Sequence, residues 1–158
     1  MMRLKYNLCL VLMMVLTISG CKKEPINDTI EQHWKLERFT VKDTQDVVIC
    51  ERMFFGITRM VTEVAQKPVS DGIHDLNNSI NKGTYVARTD YNDNETTLIL
   101  RDFKVKSYNT DTKVDATSEQ LKPFGIINPK ETVFQIKEST HKKMVLESDY
   151  ACLELSKF

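Results

Sequence analysis

The chain predicts an all-β domain, a small barrel or sandwich, and three observations carry that expectation. Short apolar runs alternate with a period of two, turn-forming residues separate them at short intervals, and almost no stretch keeps a helical period. Strands spaced in this way, with little helix between them, bury their apolar faces by closing on themselves or by packing sheet on sheet.

The first segment lies outside that domain. Arg3 and Lys5 give a positive start, residues 8–18 form an uncharged apolar run, and the small residues Ser19 and Gly20 end it. This is the layout of a secretion signal, and the run falls short of the ~20 residues a membrane-spanning helix needs. The tetrapeptide Ile18-Ser19-Gly20-Cys21 resembles the lipobox of bacterial lipoproteins. That resemblance implies loss of residues 1–20, acylation of Cys21 by chains such as palmitate, and a lipid anchor in the membrane of the cell envelope. An ordinary secretion signal with an incidental cysteine is the alternative. Lys22 follows the cysteine where an aspartate would retain some lipoproteins at the inner membrane. The expected address is therefore the outer membrane, with its periplasmic and surface faces both open.

Processing at Cys21 sets the composition that matters. It removes Arg3 and Lys5, so the basic residues fall from 22 to 20 against 22 acids, and a formal charge of −2 offers no footprint for nucleic acid. Residues 21–31 read as a lipidated polar tether and residues 32–158 as one domain, long enough for a real core. Cys9 leaves with the signal and Cys21 is taken by lipid, leaving Cys50 and Cys152. In an oxidising compartment such a pair reads as a disulfide, with two buried free thiols as the alternative. A bond would place the last strand beside the early strand near Val47, with α-carbons within ~7 Å.

The strands follow in order. Residues 33–41 begin with Trp34 and Leu36 on one face, then change phase to Phe39 and Val41, which predicts a bulge near Glu37. Residues 50–66 are harder: Ile57, Met60, Val61 and Val64 fit a helical face, while Gly56 and the dense Ile, Thr and Val content favour a strand, the expectation adopted. Residues 83–91 put Tyr85, Ala87, Thr89 and Tyr91 on one side, Asn92-Asp93-Asn94 supplies turn chemistry, and residues 96–105 form the partner strand. Residues 132–137, 144–147 and 151–158 alternate with short polar connectors, as in an antiparallel meander. Two long polar connectors remain, 67–82 and 107–122, and the spacing from Thr117 to Gln120 predicts one capped helical turn.

Tether, Trp-bearing first strand, meander and the closing CLELSKF together resemble the lipocalin-like domains of bacterial lipoproteins over residues 32–158. The tract Lys122-Pro123-Phe124-Gly125-Ile126, followed by Phe134-Gln135-Ile136 and Met144-Val145-Leu146, adds to the likeness. The resemblance implies a small antiparallel up-and-down barrel of about eight strands. It also implies a tryptophan, here Trp34, plugging one end. Two positions depart from the lipocalin pattern: Gln32 stands where a glycine opens the first strand, and residues 150–158 hold no arginine to cover the tryptophan, leaving Lys157 as a substitute. A barrel of this size either holds one small molecule or is filled by its own side chains. Trp34, Tyr85, Phe103 and Phe134 are the candidates for plugging the barrel or lining a ligand.

No catalytic signature emerges. His33, His74 and His141 form no zinc-binding pair, and no nucleophile elbow, P-loop or dinucleotide glycine motif is present. Residues 90–95 resemble the start of a calcium loop, but the sixth-position glycine is missing and Arg101 stands where glutamate should close the site, so a hairpin turn is expected. Asp71 and Asp75 lie in a polar connector where solvation accounts for them. The expectation is a non-enzyme without cofactor or metal. Its partner is a small apolar or amphipathic ligand at a barrel mouth, bordered by residues near 71–81 and 110–123. The alternative is a filled barrel that meets a protein partner through its long loops, as an inhibitor, adaptor or envelope component.

Overall fold

The computed structural model describes residues 28–67, 80–92, 94–107 and 114–158, with the side chains of 80–82 and 107 outside that description. Cys21, the signal segment, most of the tether, His74 and the Asp71–Asp75 pair lie outside the described residues.

The first strand, β1 (His33–Val41), turns Trp34, Leu36 and then Phe39 inward. Its ladders to both neighbours shift between Leu36 and Arg38, which is the bulge expected near Glu37. The bulge lets one strand keep apolar side chains inside on both sides of a phase change. Seven more strands follow: β2 (Val47–Ile57), β3 (Val61–Gln66), β4 (Ile80–Tyr91), β5 (Thr97–Ser107), β6 (Glu131–Ser139), β7 (Lys143–Glu147) and β8 (Ala151–Lys157). Each pairs antiparallel with its sequence neighbour, and β8 returns to β1 to close the barrel. Closure removes the free edges that an open sheet would expose.

Residues 50–66 are not one strand. They lie in β2 and β3, joined by a tight turn at 58–60 in which the Thr58 hydroxyl donates to the Val61 carbonyl at 2.6 Å and accepts from the Val61 N–H at 3.2 Å. A threonine can build such a turn with its own side chain, without glycine, proline or asparagine. β4 and β5 do meet in a hairpin turn: the Asn92 side-chain carbonyl accepts from the N–H groups of Thr96 and Thr97 at 2.8 and 2.9 Å. Arg101 reaches Asp90 at 2.6 Å, so that carboxylate faces an ion pair.

The expected helical turn is α1 (Ser118–Leu121). Thr117 caps it, with its hydroxyl accepting from the Gln120 N–H while the Gln120 side chain accepts from the Thr117 N–H. It runs into a 3₁₀ turn, Lys122–Phe124, that ends on Gly125 at φ 72°. Leu121, Phe124 and Ile126 are buried in the barrel core.

Candidate functional site

Two ends of the barrel differ, and each follows from local sequence. The end where the chain enters is sealed by residues 28–32. The Ile30 side chain is buried and its carbonyl accepts from the Trp34 indole N–H at 2.9 Å. The Ser139 hydroxyl meets the Thr29 carbonyl at 3.0 Å, and the Ile57 N–H donates to the Gln32 carbonyl at 2.9 Å. The packed unit thus takes in Ile30, ahead of the boundary expected at residue 32, because the buried indole needs an acceptor and an apolar cover. Lys157 pairs with Trp34 along the strand ladder and its side chain is exposed, so the segment carrying Ile30 covers the indole instead.

The interior between the ends is occupied by side chains. Trp34, Tyr85, Phe103 and Phe134 all belong to the buried core, together with Phe55, Leu98, Leu100, Leu146 and Leu153. Phe124 comes in from the connector: its ring stands edge-on to Phe55 with centroids 6.3 Å apart and to Tyr85 at 6.0 Å. The four aromatic candidates therefore lie in one packed cluster, completed by Phe124 from the Lys122–Ile126 tract that follows the expected polar connector. The buried hydroxyls of Thr62 and Thr89 satisfy each other at 2.7 Å across the β3–β4 ladder. Tyr91 is different: its hydroxyl is buried without a hydrogen-bond partner among the described residues, and burial pushes its ionisation upward.

The two cysteines are unbonded. Cys50 is buried on β2, its thiol 3.7 Å from the Val48 carbonyl oxygen, whereas Cys152 is half-buried on β8 between the inward Ala151 and Leu153. β1 runs between them, pairing Thr40 with Cys152 on one side and with Val47 on the other. Two strand spacings amount to roughly 9–10 Å, beyond the ~7 Å a disulfide spans. The expected bond is therefore corrected, and so is its supposed link to closure, since the β1–β8 ladder closes the barrel without it. Burial pushes the Cys50 thiol up to about 11, and burial with the nearby Glu147 and Glu154 raises that of Cys152, so neither is an activated nucleophile.

The end opposite Trp34 carries an open groove of about 810 Å³ between the β1–β2 turn and α1. Phe39, Val41, Val48, Ile127 and Tyr150 give it apolar walls, and Asp43, Asp46, Glu119 and Lys122 border it. A smaller groove of about 400 Å³ adjoins it, sharing Asp43, Ile127 and Tyr150 and adding Asp149. The 110–123 flank of the expected mouth contributes Ser118, Glu119, Lys122 and Pro123, while most of the 71–81 flank lies outside the described residues. The β1–β2 turn, with no motif to mark it, supplies the other wall. Among the described residues no group of His, Cys, Asp and Glu side chains is arranged to hold a metal ion. His33 and His141 are both exposed, one at the start of β1 and one in the β6–β7 turn.

A family model described as a lipocalin-like domain matches residues 14–158. Among solved structures, a lipocalin-like protein from Bacteroides uniformis is similar at a TM-score of 0.53 and 12% identity, covering 82% of this chain and 99% of that one. An uncharacterized protein from Bacteroides eggerthii is similar at a TM-score of 0.54 and 14% identity, covering 80% of this chain and 98% of that one. At these identities the likeness concerns the fold alone. No curated protein matches the chain.

Proposed function

The chain belongs to the lipocalin-like domain family, and on that premise we propose that it is a lipid-anchored, non-catalytic binding protein of the outer membrane whose ligand sits in the end groove, not in the barrel interior. The observation that carries this reading is the filled core, in which Phe124 closes against Phe55 and Tyr85 and takes the volume a buried ligand would use. A groove of about 810 Å³ with apolar walls and a polar border is the size and character of a small-molecule site. No described thiol is activated, and the surface ionisation shifts belong to ion pairs and hydrogen bonds on the barrel wall, such as that of Lys42 with Glu147, which favours binding over catalysis.

The lipobox-like Ile18-Ser19-Gly20-Cys21 supports the anchor. Cys21 precedes Asp28 by seven residues, which span at most ~25 Å, and Asp28 stands at the Trp34 end. An anchor there turns the groove away from the membrane, toward ligands in the aqueous phase. Membrane fractionation tests the anchor: wild type partitions with membranes and Cys21→Ser is released or left unprocessed, and an unmodified Cys21 by intact mass overturns it. Methyl NMR during titration with short-chain apolar probes tests the groove. Val41, Val48 and Ile127 should shift while interior Leu98 and Leu146 stay, and the reverse pattern restores a ligand inside the barrel.

A protein partner at the same end is the second reading. It is favoured by Val47 and Ile49, 55% and 69% exposed beside the groove, since clustered exposed apolar side chains mark interaction surfaces.

A further inference from the structure

We infer that the end groove selects a cationic amphiphile, a small molecule with an apolar body and one positively charged head. The inference rests on the groove being the binding surface and adds the charge of what it takes.

The argument is a contrast between the barrel wall and its end. On the wall, most carboxylates are matched: Glu154 holds Arg38 at 2.9 Å, Glu131 holds Arg101 at 2.7 Å, and Glu147 holds Lys42 at 2.9 Å, with Glu51 on β2 the exception among the described strand residues. At the groove, Asp43, Asp46 and Glu119 border the apolar surface and Asp149 stands in the adjoining hollow. None of these four carboxylates takes part in an ion pair among the described residues. Among the described residues, the Asp46 carboxylate accepts from the Thr44 hydroxyl alone, at 2.6 Å, within its own turn. The cations within reach are outnumbered: Lys42 is hydrogen-bonded to Glu147 and lies within electrostatic reach of Asp149, and among the described residues Lys122 is the one cation lining the groove.

A concave apolar surface strengthens the effect. Low-dielectric walls focus the field of bordering charges and raise the local concentration of counter-ions. An apolar body seated on Phe39, Val41, Val48, Ile127 and Tyr150 leaves its head at the border, where a cation meets the carboxylates in place of water. An anionic head of the same length meets the same carboxylates and is repelled. The volume of about 810 Å³ limits the occupant to a small molecule.

The test compares octylammonium, octyl glucoside and octanoate, which share a chain and differ in head charge, each titrated below its micelle threshold and followed by groove methyl shifts. Octylammonium should bind about tenfold more tightly than octanoate at low salt, with octyl glucoside between them. The advantage should shrink at high salt and vanish in Asp43→Asn/Asp46→Asn/Glu119→Gln, whose side chains are exposed and not part of the core. Octanoate binding as well as octylammonium overturns the inference, as does an advantage that survives both the triple substitution and high salt. Equal binding of all three probes defeats the charge selection and leaves the groove as the binding surface. Binding of none defeats the groove reading and the charge selection with it.

Discussion

Phe124→Ala removes the ring that the α1 connector inserts into the barrel, and its cost can be worked from the packing around it. The side chain is 2% exposed and meets Phe55 and Tyr85 edge-on. Returning a buried phenylalanine ring to water forfeits ~2 kcal/mol of transfer free energy. A void of ~80–100 Å³ adds about 2 kcal/mol at ~24 cal/mol per Å³ if the neighbours do not collapse into it. The expected loss is therefore about 4 kcal/mol, read as a lowered urea midpoint with an unchanged slope. The new cavity is lined by aromatic and aliphatic groups, so benzene should stabilise the variant and leave wild type unaffected. A loss under ~1 kcal/mol would refute the reasoning, because it would mean that Phe124 does not fill the barrel. Benzene stabilising wild type as much as the variant would refute it too, by revealing interior space before the ring is removed.

Gly125→Ala should cost ~2 kcal/mol, because φ is 72° and the new Cβ would lie 3.0 Å from Leu153 Cδ1 and 3.3 Å from Phe39 Cγ; urea unfolding checks it, and an unchanged midpoint would contradict the close packing. Tyr91→Phe should be neutral or stabilise by up to ~1 kcal/mol, since it deletes a buried hydroxyl that has no partner among the described residues; a loss above ~1 kcal/mol would expose a hidden hydrogen bond. The Cys50 thiol, held up to about 11, keeps its proton in the folded state after the unfolded chain has lost it near 9. Stability should therefore fall as pH rises from ~9 to ~11, by on the order of 2 kcal/mol, with that component absent from Cys50→Ala. Parallel alkaline profiles for the two proteins would dismiss it. With the protein folded, a thiol reagent should modify Cys152 well before Cys50, and simultaneous loss of both would show that Cys50 is not buried as described.

Local alternation was enough to read the strands, because a period-two apolar face has few ways to be buried. Trp34 and Leu36 followed by Phe39 revealed even the β1 bulge, and Thr117 to Gln120 revealed the capped turn, since both signals are contained within a few residues. The β2–β3 turn was illegible for a related reason: Thr58 makes it with a side-chain hydrogen bond, and the exposed Met60 and Val61 continue the apolar run through it.

Relations between distant segments belonged to the tertiary structure. Alternation places Cys152 out of phase with the inward leucines, yet only the ladder order shows β1 standing between it and Cys50. Phe124 follows the polar connector in the Lys122–Ile126 tract, flanked by Pro123 and Gly125, and no local pattern states that its ring enters the core. The groove is less legible still, because Asp43 and Asp46 in a turn, Glu119 on α1 and Tyr150 before β8 share no spacing in the chain. Each of those residues reads alone as ordinary solvated surface. Closure of β8 onto β1 brings them to one end of the barrel, and charge and shape acquire meaning there because field and volume depend on distance in space, not along the sequence.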